Sequence, residues 1–219
     1  GLARRRLYIA ATSFNIPWFV FLSIAALTLL DAYSIPLGLV ELLKWVEIGL
    51  IVWLILDLAH DPSRRPGGFP FVMRAVLAFL LIAGLVQALI GIWQFGLRGT
   101  GPEHFIVLGR FYRAYGTFEQ PNPFGGYMNL VAFTALGVVL GQGAAWIDRR
   151  LGRGHNPYLA PAGYWMGLGI ITAVAGTLGV VLSWSRGAWL GFLSGAAVLA
   201  LFSSRRLSFG IVIMGSAVL

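Results

Sequence analysis

The feature that most limits how this chain can fold is a series of long apolar runs, separated only by short charged or Pro/Gly-rich breaks. Several runs reach the ~20 residues that an α-helix needs to cross the hydrocarbon core of a bilayer. Six spans can be marked, near 14–34, 37–58, 71–96, 123–147, 161–184 and 187–203. A seventh run goes from Leu207 to Leu219, and its 13 residues are too few to cross. The chain, which starts at Gly1, is therefore expected to be a fragment of a longer polytopic protein, cut inside a helix. The expected fold is all-α, a polytopic transmembrane helix bundle of six complete spans plus a truncated seventh, forming one domain over residues 1–219. The ten-residue alternating segments of a transmembrane β-barrel do not occur. Arg4-Arg5-Arg6 precedes the first run as in a signal peptide, but no small-x-small cleavage pattern follows Leu30, so the run reads as a span.

Only 11% of the residues are charged, against roughly 25% in an ordinary soluble domain, and their placement carries the orientation. Arg4, Arg5 and Arg6; Arg64, Arg65 and Arg74; Arg149, Arg150 and Arg153; and Arg205 and Arg206 fall at alternate ends of successive spans. Eleven of the sixteen basic residues thus share one side, which the positive-inside rule makes cytoplasmic. The net charge of +8 is then mostly topology, and no nucleic-acid partner is expected, because the basic loops are too short for such a module. Zero cysteines exclude disulfides and thiolate metal sites.

Four arginines fall on the other side: Arg98, Arg110 and Arg113 in the longest loop, and Arg186 in the tight turn between the fifth and sixth spans. Snorkelling to lipid headgroups, or pairing with Glu103 and Glu119, is the plain expectation, and for Arg98 the favoured one. Arg113 and Arg186 are set apart by the residues downstream of each. After Arg113, Asn122 can cap a helix and Pro123 suits its first turn; Ser185 can cap the sixth span. Both helices would then begin at the outer surface, where free N–H groups and the positive end of the macrodipole favour anions. Two arginines beside two such termini suit a phosphate or diphosphate, because the planar guanidinium binds phosphate oxygens through paired hydrogen bonds. Gly187, Gly191 and Gly195, and likewise Gly137 and Gly141, recur every four residues and read as helix-packing faces.

The stretch "RAYGTFEQPNPFGGYM", with "LSWSRGAWLG" further downstream, resembles the O-antigen ligase and O-antigen polymerase family of bacterial envelope proteins. In that family an R-x-x-G-T-F-x-x-P-N segment enters one span and an S-R-G-A segment opens a later one; both are present here, in that order. The resemblance implies a membrane glycosyltransferase that transfers a glycan from an undecaprenyl-diphosphate carrier to a lipid or glycan acceptor. The reaction would take place at the outer face of the bacterial cytoplasmic membrane. It further implies Arg113 and Arg186 as catalytic residues, with Arg110, Thr117, Asn122 and Ser185 as substrate-binding residues beside them. No cofactor, nucleotide sugar or metal is implied, in keeping with only eight acidic residues and no cluster of them.

Ligases of the family carry a functional histidine in a large outer loop downstream, and this chain stops before such a loop. His60 and His155 fall on the cytoplasmic side, and His104, on the outer side, reads as a loop residue. The fragment is therefore expected to lack the general base. Glu41, Lys44 and Glu47 share one face of the second span, a pairing that could be structural or functional. Glu119 and Gln120 could orient a guanidinium or contact a sugar, or simply sit at the surface. Tyr112, Tyr115, Trp184 and Trp189 read as an interfacial aromatic belt. The alternative function is a secondary transporter for a polar or anionic solute, with Lys44, Glu47 and the arginines lining its path; the lack of an internal repeat weighs against it.

Overall fold

The computed structural model describes residues 12–60, 68–152 and 163–202. Arg4, Arg5, Arg6, Arg64, Arg65, Arg153, His155, Arg205, Arg206 and the run Leu207–Leu219 lie outside the described residues, as does the side chain of His60. A helix forms at each of the six marked runs: α1 (Asn15–Leu27), α2 (Ile35–His60), α3 (Gly68–Ile92), α4 (Pro121–Arg150), α5 (Gly163–Leu182) and α6 (Arg186–Phe202). The departure from an all-helical chain is a two-stranded antiparallel ribbon in the loop after α3, β1 (Ile106–Val107) and β2 (Phe111–Tyr112).

Three helical segments are long and apolar enough to cross a membrane: Phe71–Leu97, Pro121–Arg150 and Gly163–Leu182. The others fall short for identifiable reasons. Asn15–Asp31 and Arg186–Leu201 are apolar but short, and α2, though 26 residues long, carries Glu41, Lys44, Glu47 and Asp57 along its length.

The chain divides into two compact units, Gly1–Val76 and Leu77–Leu219. In the first, α1 and α2 pack through aromatic rings: Trp18 stacks on Phe14 at 5.0 Å and meets Trp45 edge-on at 6.4 Å. Trp53 donates its Nε1–H to Asn15 Oδ1 at 2.9 Å. Lys44 Nζ donates to Glu41 Oε1 at 2.6 Å, and both side chains are more than half exposed. Such a pair contributes little to stability in water.

In the second unit the packing is inverted relative to a soluble protein. Phe79, Ile82, Val86, Leu89 and Trp93, spaced three and four residues apart, form one exposed apolar stripe on α3 and the turn after it, while Leu81 and Ala88 are fully buried. On α5, Ile170, Ile171, Val174 and Leu178 face outward, while Gly169, Thr172, Ala173, Gly176 and Gly179 are buried. Large residues outside and small ones inside are what helices packed in lipid require, since close backbone approach, not apolar burial, holds them together. The α4–α5 contact shows this: a Cβ on Gly176 would lie 3.2 Å from the Ala132 backbone nitrogen. The core continues through Phe124, Met128 and Val131 of α4 to Phe192 of α6, all fully or almost fully buried.

Candidate functional site

The site begins where α3 ends. Its last turn widens into a single π-helical turn, Trp93–Leu97, closed by the Arg98 N–H donating to the Trp93 carbonyl at 2.9 Å. Such turns redirect side chains and recur at functional sites. Gln94, in this turn, is 5% exposed and holds the loop by three hydrogen bonds. Its Nε2 donates to the Gly116 carbonyl at 2.8 Å, and its Oε1 accepts from the N–H of Gly116 at 2.7 Å and of Tyr115 at 3.1 Å. Two turns earlier on the same face, Gln87 donates to Thr117 Oγ1 at 2.7 Å and accepts from the Thr117 N–H at 3.1 Å. Gly116 sits between them at φ +56°, and a Cβ there would press on Phe124 at 2.8 Å, so both conformation and space demand glycine.

The loop pinned in this way delivers Arg113 to the α5–α6 turn. The Ala114 N–H donates to the Leu182 carbonyl at 2.9 Å, and Arg113 Nε donates to the Ser183 carbonyl at 2.9 Å. Arg113 Nη2 donates to Asn122 Oδ1 in the first turn of α4 at 3.1 Å. One guanidinium therefore ties the end of α5 to the start of α4, and among the described residues its remaining N–H groups meet no acceptor. Partial burial lowers the Arg113 pKa, yet a guanidinium keeps its charge at any physiological pH.

The turn itself is Ser183–Trp184–Ser185, with Trp184 held at φ +49°. Ser185 Oγ accepts from the Ala188 N–H at 3.3 Å, which makes it the expected cap of α6. Ser183 Oγ donates to the Val180 carbonyl at 2.7 Å and accepts from the Ser185 N–H at 3.2 Å. Asn129 of α4 donates to the Ala188 carbonyl at 2.8 Å and so locks α4 to the start of α6. Arg186, at the first position of α6, is exposed and bonds to none of the described residues.

Between these elements lies a cavity of about 600 Å³, lined by Arg113, Asn122, Gly126, Asn129, Trp184 and the segment Ser185–Ala188. Arg113, Arg186, Asn122 and Ser185, four of the six residues singled out by sequence, meet here; the other two do not. Thr117 is held by Gln87 on α3, and Arg110 lies over the Phe111 ring at 4.3 Å on the ribbon, whose Phe111 stacks on Phe95 at 5.0 Å. His104, exposed in a short turn and edge-on to Phe105 at 4.3 Å, is likewise outside the lining. Arg98 reaches Tyr115 Oη at 2.7 Å and covers Trp93, bracing the loop. Among the described residues, neither Glu103 nor Glu119 forms an ion pair with these arginines. Of the four aromatic residues read as a belt, Trp184 and Trp189 face each other at 5.8 Å, and Tyr115 packs on Phe105 at 5.4 Å.

No family model, curated protein or solved structure matches this chain. The chemistry open to the site is set by its donors.

The lining holds two guanidinium groups and no carboxylate or histidine, so it favours an anion. The two helix starts contribute unequally, which corrects the expected symmetry. α4 begins at Pro121, not after Asn122, and Pro121 and Pro123 have no N–H to offer; the Phe124 N–H already donates to the Gln120 carbonyl at 3.4 Å. Asn122 is thus a partner of Arg113, not a cap. At α6 the N–H groups of Arg186 and Gly187 have no intrahelical acceptor and remain for a ligand.

Sequence reading missed Gln87, Gln94, Asn129 and Ser183. The two glutamines were visible as polar residues seven apart in an otherwise apolar run, the spacing of one helix face. Gly125 also carries a role that the sequence leaves open: a Cβ there would lie 2.7 Å from Ala188 Cβ and 2.8 Å from Ser183 Oγ. Gly125→Ala is expected to destabilise the protein by about 1–3 kcal/mol through overpacking, read as a lower Tm in detergent. An unchanged or raised Tm would mean that α4 and the α5–α6 turn are not in contact at this glycine.

Proposed function

We propose that this chain acts as a membrane glycosyltransferase of the O-antigen ligase or polymerase type, which moves a glycan from an undecaprenyl-diphosphate carrier to a lipid or glycan acceptor. The observation that carries this reading is the meeting of Arg113 and Arg186 in one carboxylate-free cavity at the mouth of α6. The two motifs that suggested the family, R-x-x-G-T-F-x-x-P-N and S-R-G-A, supply these two arginines.

In this reading the chain lies in the membrane of a bacterial cell, with the segments Phe71–Leu97, Pro121–Arg150 and Gly163–Leu182 long enough to cross it. The end of α4 that carries Arg149 and Arg150 faces the cytoplasm, and the cavity at its start opens at the opposite face. With 30 residues, α4 is about 45 Å long, enough to separate the two ends across a bilayer. The diphosphate lies between the arginines. An acceptor hydroxyl oxygen attacks the anomeric carbon with inversion, the bond from that carbon to the phosphate oxygen breaks, and the carrier leaves as its diphosphate. The guanidinium groups and the free N–H groups of α6 stabilise the charge that grows on the leaving oxygen. Asparagine, serine and arginine are not bases at neutral pH, so the acceptor proton goes to a group outside the lining.

Arg186→Ala in the full-length protein is the test. Glycan transfer, monitored by the change in gel mobility of the acceptor, is expected to fall by at least ~100-fold. Tm should not change, because Arg186 is exposed and bonds to none of the described residues. Near-normal transfer by this variant removes the proposed role. Robust solute uptake by vesicles carrying the intact protein, without transfer, points to the transporter instead.

A further inference from the structure

Two glycines of the lining, Gly126 in α4 and Gly187 in α6, have no explanation in the packing. Both adopt ordinary helical backbone angles, and a Cβ on either would meet no atom within 4 Å. Their neighbours in sequence behave differently. Beside Gly126, Gly125 is required by Ala188 and Ser183; after Gly187, a Cβ on Gly191 would meet Asn129 Nδ2 at 3.2 Å and one on Gly195 would meet Phe133 at 2.5 Å. The four-residue glycine repeat of α6 therefore serves packing at two positions and leaves Gly187 open. Glycine is the poorest helix former apart from proline, so an unpacked helical glycine carries a stability cost with no return from the protein itself. Both glycines line the cavity that also holds Arg113 and Arg186.

We infer that Gly126 and Gly187 let a diphosphate group lie directly against the backbones of α4 and α6, and so determine which anions fit. This rests on the reading of the cavity as a diphosphate site. Gly187 gives the approach along the free N–H groups of α6, and Gly126 gives the clearance on the opposing helix. A methyl group at either position holds the anion away from one wall, which lengthens its hydrogen bonds to the N–H groups and to the arginines.

The test uses the purified full-length protein, with inorganic diphosphate as the probe in calorimetry. Gly126→Ala and Gly187→Ala should each weaken binding at least ~10-fold, since losing one charge-assisted hydrogen bond is enough to cost that much. Their Tm should be equal to or above that of the wild type. Gly137→Ala, at an equally open glycine of α4 outside the lining, should bind as wild type does. Polyprenyl diphosphate in nanodiscs should displace the probe, and phosphatidylglycerol nanodiscs should not. If Arg186→Ala loses binding while both alanine variants keep it, the glycine inference is overturned and the diphosphate site stands. If the wild type binds no diphosphate, or both kinds of nanodisc displace it equally, the diphosphate reading falls and this inference with it.

Discussion

Replacing Arg113 by alanine is expected to abolish glycan transfer and, unlike Arg186→Ala, to lower Tm as well. Arg113 is a structural tie whatever it binds: Nε reaches the Ser183 carbonyl and Nη2 reaches Asn122 Oδ1. Hydrogen bonds from a charged donor are worth roughly 1.5–3 kcal/mol each when shielded, and the Asn122 bond is solvent-exposed and worth less. A destabilisation of about 2–3 kcal/mol is therefore expected, read by thermal unfolding in detergent. Arg113→Lys should restore neither stability nor transfer, since one ammonium cannot serve two acceptors set apart by the width of a guanidinium and still face the cavity. Loss of stability with normal transfer would leave Arg113 a purely structural tie. Loss of transfer with no change in Tm would mean that the tie contributes nothing.

Gln94→Leu is expected to have the second-largest effect, although Gln94 is not part of the cavity. The substitution puts an apolar side chain of similar size there but strands the N–H groups of Tyr115 and Gly116 and the Gly116 carbonyl in a buried place. Each stranded group costs about 1–3 kcal/mol unless the loop shifts to reach water. Either outcome releases residues 115–117 from α3, and with them the segment that holds Arg113 against the α5–α6 turn. A Tm loss corresponding to about 3 kcal/mol is expected, with faster amide hydrogen exchange at Tyr115 and Gly116 and weaker diphosphate binding. Slow exchange at those two amides in the variant would show that Gln94 does not position the loop.

The gap between sequence and structure is easiest to see in the stretch "EQPNPFGG". A helix start is legible there, but its position is not, because Asn122 and Pro121 are both good starting residues. Pro121 takes the first position, and Asn122 becomes free to meet Arg113. The paired glycines look equivalent in sequence, yet one is fixed by Ala188 and Ser183 and the other faces open space. Ser185, in contrast, was readable as a cap, because its partner is three residues away and local geometry alone sets the bond.

The same distinction separates the two sources of information for the whole chain. Run length and capping are local, so the sequence alone determined where the six helices form and that Ser185 starts α6. Which residues meet depends on chain segments far apart: the Arg113–Ser183 bond links positions 70 residues apart, and Asn129 reaches Ala188 across 59. Such contacts depend on how α4 and α5 pack and on where Gln87 and Gln94 hold the loop, and no local pattern encodes that geometry. Only the tertiary structure decided that Arg113 and Arg186 share a cavity while Arg110 and Thr117 do not, because a shared cavity is a property of three helix ends packed together.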